Sequence, residues 1–148
     1  MCSSFAAELF TAVHNFGTSP IRTTTAADQF YAALYYTTAT LNSSTTAYTS
    51  TGEVSSSGTN YTAGGVPVAS WFAPISSTGV AFTTPTTSFV WPNVTINPAF
   101  DAVLIYNTTQ GGKSVSVHTF GAQLVTAGTF TLSMPTNAPT TGLLRIVV

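Results

Sequence analysis

Charge is what this sequence has least of. Lys and Arg number three and Asp and Glu four, 5% of 148 residues, against roughly 25% in an average globular protein. Three cations cannot form the basic footprint that nucleic-acid binding needs, so no nucleic-acid partner is expected. Cysteine is nearly absent as well. Cys2 stands alone, which excludes an intrachain disulfide and any Cys/His metal cluster and fits folding in a reducing cytoplasm. No apolar run reaches the 18 or so residues of a membrane helix, and no membrane partner is expected. Met1-Cys2-Ser3-Ser4 lacks the basic segment that opens a secretory signal. Paired carboxylates are missing too. Glu8, Asp28, Glu53 and Asp101 are scattered, with no spacing that puts two on one element for acid/base work. The expectation is a protein that is not an enzyme, with no catalytic residue, no cofactor and no metal.

What fills the space is Ser, Thr and Asn around a 44% hydrophobic, 12% aromatic remainder. Thr is β-branched, and Ser and Asn compete for backbone hydrogen bonds, so this surface favours strands and turns over helices. With a net charge of -1 it offers little colloidal repulsion. Such a chain suits an assembly better than a concentrated solution.

The length fits one domain, read here as residues 1–148. Residues 4–16 are the helix candidate, within a helical N-terminal segment 1–17. Ser4 is the expected cap, Glu8 is expected near the positive dipole end, and Gly17 is the stop. Phe5, Leu9, Val13 and Phe16 recur at helical spacing and make one apolar stripe. This stripe either packs on the chain's own sheet or docks on a neighbouring chain, and its four residues are the candidate assembly contacts. Residues 29–37 read as an aromatic strand. Residues 38–60 read as a long Ser/Thr-rich loop, functional or mobile, broken in character only at Gly52-Glu53-Val54. Gly64-Gly65 reads as a bend or bulge. Short strands then follow at 69–73 paired with 80–83, at 87–91 ending at Pro92, and at 94–96 ending at Asn97-Pro98. The densest apolar run, Phe100 to Asn107, has the length and residue types of a strand buried on both faces. Its turn at 108–112 leads into 114–120 as a hairpin. Strands at 123–127 and 129–134 flank a Gly128 turn, and 143–148 closes the chain as a strand inside a sheet. Short strands at regular spacing predict an all-β fold, an antiparallel sandwich or jelly-roll-like barrel with one short N-terminal helix.

Few residues carry chemical promise. His14 falls near the end of the candidate helix, where the dipole favours a cation. Asp101 and His118 lie on opposite arms of the hairpin and read as a hydrogen-bonded pair; a nearby Ser or Thr would make a chance imitation of a catalytic trio. Asp101 is also expected to find Arg145 or Lys113 as a salt-bridge partner, within the chain or across a subunit boundary. Asn42, Asn60, Asn93 and Asn107 each begin an Asn-x-Ser/Thr pattern, the chance yield of a Thr-rich chain. Tyr31, Tyr35, Tyr36, Trp71 and Trp91 could line a carbohydrate platform, although core and interface filling is the usual role of such rings.

Two segments, Gly52-Glu53-Val54 through Tyr61-Thr62-Ala63-Gly64-Gly65, and Phe89-Val90-Trp91-Pro92 through Phe100-Asp101-Ala102-Val103-Leu104-Ile105-Tyr106-Asn107, carry a likeness to a known family. With the N-terminal helix and the apolar last strand, the chain resembles small β-sandwich virion structural proteins of tailed bacteriophages, capsid decoration (cement) proteins among them. The resemblance implies a homo-oligomer, a trimer in that family, made in the bacterial host cytoplasm and placed on the capsid surface of the virion. It implies the major capsid protein as partner and bracing of neighbouring capsid subunits as function. The alternative is a tail, fibre or neck-associated module that binds a host surface glycan. The resemblance carries over no catalytic residue.

Overall fold

The apolar run ending at Asn107 is the C-terminal half of a much longer strand. In the computed structural model, which describes residues 1–10, 13–16 and 27–147, that strand is β5 (Phe89–Asn107). The other elements are α1 (Ser3–Phe10), β1 (Phe30–Tyr36), β2 (Val66–Pro67), β3 (Ile75–Ser77), β4 (Val80–Thr83), β6 (Lys113–Leu132) and β7 (Leu144–Val147). They form a four-stranded sheet of order β2-β1-β5-β6 and a three-stranded sheet of order β3-β4-β7, antiparallel throughout. The all-β expectation holds at that level.

Every residue from Ala102 to Asn107 is buried, with β1 on one side and β6 on the other. Alternation along the strand sends Val103 and Ile105 to one face and Ala102, Leu104 and Tyr106 to the other. The first face meets Phe5, Ala32, Leu34, Val54 and Phe100. The second meets Ala33 and Tyr35, with Leu41 and Tyr48 closing over them. A strand covered twice needs no polar face, which is why it reads as a continuous apolar run.

Several expected boundaries are corrected. A helix over 4–16 is not seen. Among the described residues there, only the eight of α1 are helical, and Val13 to Phe16 run non-helically. Glu8 therefore lies in the last turn of α1, away from the positive dipole end. Pro92, Pro98 and Gly128 do not end strands. Between Phe89 and Pro98, β5 pairs with β6 alone, so a proline there can turn its missing N–H away from the ladder. The irregularity is absorbed as register shifts between Trp91 and Val94 and between Ile96 and Phe100. Gly128 faces Val94 across the ladder, and beside it Ala127 takes a positive φ of 45°, its N–H donating to Thr95 Oγ1 at 2.9 Å.

Residues 38–60 form no named strand, yet they are tied down along the sheet. Tyr36 N–H donates to Gly52 O (2.9 Å) and Val54 N–H to Leu34 O (2.9 Å), which covers the outer edge of β1 beyond β2. Tyr48 N–H donates to Gly112 O (2.8 Å) and Ser114 N–H to Thr46 O (3.1 Å), strapping the segment across the hairpin turn. The expected pairing of 69–73 with 80–83 becomes β3 with β4, and Trp71 makes only an isolated bridge to Pro85. The strand expected to close the chain paired in a sheet is β7, which pairs with β4 as the outer strand of the smaller sheet.

Gly65 shows how closely the chain is packed against β1. Its φ is +82°, and a Cβ there would overlap the carbonyl oxygen of Ala32 and the Cα of Ala33. Gly58 has a similar φ of +71° but open space around it. Gly58→Ala should therefore cost about 1–2 kcal/mol, the left-handed backbone penalty alone. Gly65→Ala should cost about 4 kcal/mol or prevent folding, because backbone must also move. Urea unfolding of the two variants checks this; equal losses would show that packing at Gly65 contributes nothing.

Candidate functional site

Polar side chains gather at two places inside the main sheet. The first is the end of β5. Asn107 is fully buried where an apolar strand meets its turn, so its amide must be satisfied within the protein. Its Nδ2 donates one hydrogen to Asp28 Oδ2 at 2.8 Å. The other points to His14 Nδ1 at 3.0 Å. Its Oδ1 accepts from Gln110 N–H at 3.1 Å.

That pattern decides the state of His14. Its Nδ1 must accept, so its proton sits on Nε2 and is donated to Glu8 Oε2 at 2.7 Å. Burial is the main reason His14 titrates below its ordinary range, with Glu8 and Asp28 pulling the other way. Lys113 Nζ donates to Glu8 Oε1 at 2.7 Å. Burial alone would raise the Glu8 pKa, but hydrogen bonds from Lys113 and His14 together bring it below the usual value. Asp28 Oδ2 also accepts from Asn15 N–H at 3.1 Å. The chain Lys113–Glu8–His14–Asn107–Asp28 thus fastens the N-terminal segment to both arms of the hairpin and to the approach of β1. With both imidazole nitrogens engaged, His14 has no free lone pair for base catalysis; the arrangement is a fastening.

The second gathering surrounds Glu53. Its Oε2 accepts from the Tyr48 hydroxyl at 2.6 Å, and its Oε1 from the Tyr61 hydroxyl at 2.9 Å and from Gly64 N–H at 2.6 Å. The Tyr61 oxygen in turn accepts from Leu34 N–H at 3.0 Å. The Tyr106 hydroxyl donates to Gly64 O at 2.8 Å, and its ring stacks on Tyr48 at 4.5 Å. Burial, then the Glu53 charge, raises the pKa values of Tyr35, Tyr48 and Tyr61 and pushes Tyr106 up to about 12. The phenols therefore stay protonated and donate. Nothing in the sequence announces this cluster except one acidic residue in an otherwise uncharged stretch between tyrosines.

The expected Asp101–His118 pair does not form. The register sets His118 opposite Val103, and its Nε2 lies 2.9 Å from the Ser116 hydroxyl. Burial, helped by the N-terminal amine, pulls its pKa down to about 4. Within the chain, among the described residues, Asp101 does not meet either cation expected of it: Lys113 binds Glu8, and Arg145 Nη1 donates to Thr140 O at 2.7 Å. Asn107, one of the four Asn-x-Ser/Thr positions, is wholly buried.

Of the four candidate assembly contacts, Phe5 lies in the chain's own core, with Leu9 and Phe16 partly buried against it. Val13 is half-buried. Phe5 packs on the His14 ring at 4.8 Å and edge-on to Phe16. Phe16 stacks on Phe30 at 4.8 Å and meets Trp71 edge-on. Trp91 is buried and offers no open ring face; it lines a cleft of about 240 Å³ with Asn60, Thr62, Val66, Pro92 and Val94. Among the described residues no group of three or more His, Cys, Asp or Glu is placed to hold a metal ion. Comparison with protein-family models, with curated proteins and with solved structures finds no match to this chain.

Two outcomes follow from these clusters. Glu53→Ala leaves two phenols and the Gly64 N–H without an acceptor and should cost about 3 kcal/mol, whereas Glu53→Gln, which keeps one oxygen, should cost less; urea unfolding at pH 7 measures both. The depressed pKa of His118 means that the folded state binds fewer protons than the unfolded state. Its stabilising effect is therefore complete above pH 6.5 and is lost as pH falls through about 4. His14 acts in the same direction. His118→Gln should flatten much of the decline in unfolding midpoint between pH 6.5 and 4, and an unchanged slope would remove His118 as its source.

Proposed function

We propose that this protein is a structural subunit of a virion, a capsid decoration or cement protein of a tailed bacteriophage. In this reading it is an antiparallel β-sandwich module. It binds the outer surface of the head and braces neighbouring major capsid proteins. The observation that supports it is the disposal of reactive groups. Glu8, Asp28, Glu53 and His14 are engaged in holding the fold together. Outward apolar groups among the described residues include Met1, Phe72, Ile75, Val90, Leu124, Ile146 and Val147, suited to contact and not to chemistry.

The mechanism is clamping. Copies of the chain associate, as a trimer if the phage resemblance holds in full, and each touches more than one capsid protein. A ligand that binds only the assembled shell stabilises it by mass action, by about 2.7 kcal/mol per site at a hundred times the dissociation constant. Those added bonds oppose the outward force of packaged DNA. Leu9, Val13 and Phe16 keep part of their surface for such contacts, with Phe5 anchoring them from the core. The 38–60 segment offers a Ser/Thr-rich contact surface.

Heads assembled without the chain should bind the purified protein in co-sedimentation and then withstand heating or osmotic shock that empties undecorated heads. A virion map should place its density at three-fold positions of the capsid lattice. Density confined to the tail, or turnover of a substrate by the isolated protein, would overturn this reading.

A further inference from the structure

The chain has two histidines, and one of them, His14, is buried where α1, β1 and β5 meet. The N-terminal segment that carries it is tied to the rest of the chain at two places. At the first, Cys2 N–H donates to Val115 O at 3.0 Å, and the Cys2 side chain lies in the main core with Phe5. At the second, His14 meets Asn107. Beside it Asn15 N–H donates to Asp28 Oδ2 and Asp28 N–H donates to Asn15 O, both at 3.1 Å. The imidazole links the two places by packing. It lies 4.8 Å from the Phe5 ring and stacks on Phe30 of β1 at 6.4 Å.

One proton is enough to break this arrangement. Neutral His14 gives its Nε2 hydrogen to Glu8 and takes Asn107 Nδ2–H on Nδ1. An imidazolium carries a hydrogen on both nitrogens, so Nδ1–H would face Nδ2–H, donor against donor. Turning the amide over gives no relief. Its Nδ2 would then face the Gln110 N–H, and its Oδ1 would face Asp28 Oδ2. The charged groups around the ring are Glu8 from α1, Asp28 from the approach of β1 and Lys113 from β6, while β5 sends Asn107. Burial weighs most against the imidazolium, Glu8 and Asp28 favour it, and Lys113 opposes it. None of these removes the clash of donors.

We propose that His14 is the pin of a proton-operated latch: protonation of its imidazole frees the N-terminal segment bearing Cys2, Phe5 and His14 while the ladder of β1, β5 and β6 stays folded. The body of the fold has its own fastening. The Glu53 network draws on Tyr48, Tyr61 and Gly64, and the β1–β5 and β5–β6 registers take nothing from the segment. Such local opening below the global transition is ordinary in proteins. The sign follows from linkage. The docked His14 titrates below 6.5, so the docked segment binds fewer protons than the open one. Its contribution to docking is fully present above pH 6.5 and is lost as pH falls below that value. Glu8 titrates lower still, below 4.5, so a change between pH 7.5 and pH 5 belongs to a histidine.

The latch does not depend on capsid binding, although Phe5, Leu9, Val13 and Phe16 all ride on the segment that it holds. Cys2 reports its state in the full chain, being buried and the one thiol present. Its rate of reaction with a dipyridyl disulfide, divided by the rate of the urea-unfolded chain at the same pH, should rise about tenfold from pH 7.5 to pH 5. Amides of β1 and of the Phe100 to Asn107 half of β5 should keep their hydrogen-exchange protection over that range. His14→Gln has no proton to gain there and should give one rate at both pH values, whether the segment sits docked or open. His118→Gln should keep the rise. Its one remaining imidazole should titrate by NMR at the midpoint of the labelling curve, a readout that holds even where His14→Gln fails to fold. The proposal is overturned by labelling independent of pH, by a rise that survives His14→Gln or disappears in His118→Gln, or by an imidazole midpoint away from the labelling midpoint. It is overturned equally by β5 amides that lose protection in step with Cys2, since the event would then be global unfolding.

Discussion

A carboxylate held by neutral donors sits at the heart of this fold. Among the described residues no cation pairs with Glu53, and an unmatched charge away from water costs several kcal/mol. The loss is offset because two phenols and one backbone N–H converge on its two oxygens. Each donor makes a demand on the chain. Gly64 must turn at φ +87° to aim its N–H, and Gly65 must then pass against Ala32 where no side chain fits. Tyr106 reaches from β5 to the Gly64 carbonyl. The outer edge of β1, the 38–60 segment and the central strand are thereby locked into one arrangement.

Asn107 performs the matching task at the end of the same strand. It reads His14, Asp28 and Gln110 at once, and a shift of one residue in the β5 register would turn its amide to the opposite face. In a chain so poor in charge, the apolar core alone would tolerate several alignments of Val- and Ile-rich strands. Two saturated polar networks discriminate among those alignments, since a half-satisfied network inside the protein is worse than none.

The central strand was legible because burial on both faces leaves a continuous apolar signature from Ala102 onward. The long ribbon was not. Pro92, Pro98 and Gly128 are local stop signals, and their effect vanishes when a strand has one ladder partner and can bulge. The Phe5, Leu9, Val13, Phe16 spacing marked an apolar contact but misjudged its conformation. Val13 to Phe16 are not helical, and His14 meets Asn107, a demand set by a residue 93 positions away. Glu53 was opaque for the same reason: its donors come from positions 48, 61 and 64, and no local pattern links them.

The pairing of β1 with β5 has a kinetic meaning. Phe30 faces Asn107, so joining these strands closes a loop of roughly 77 residues, an entropy cost of about 4 kcal/mol before any contact repays it. The β5–β6 turn, by contrast, brings neighbours in sequence together. The hairpin is thus the natural template on which β1 is laid down, and newly made chains expose a bare two-stranded ladder while the rest of the polypeptide searches for it. Slow synthesis or a holding chaperone would protect that interval, and crowding several nascent copies together would endanger it.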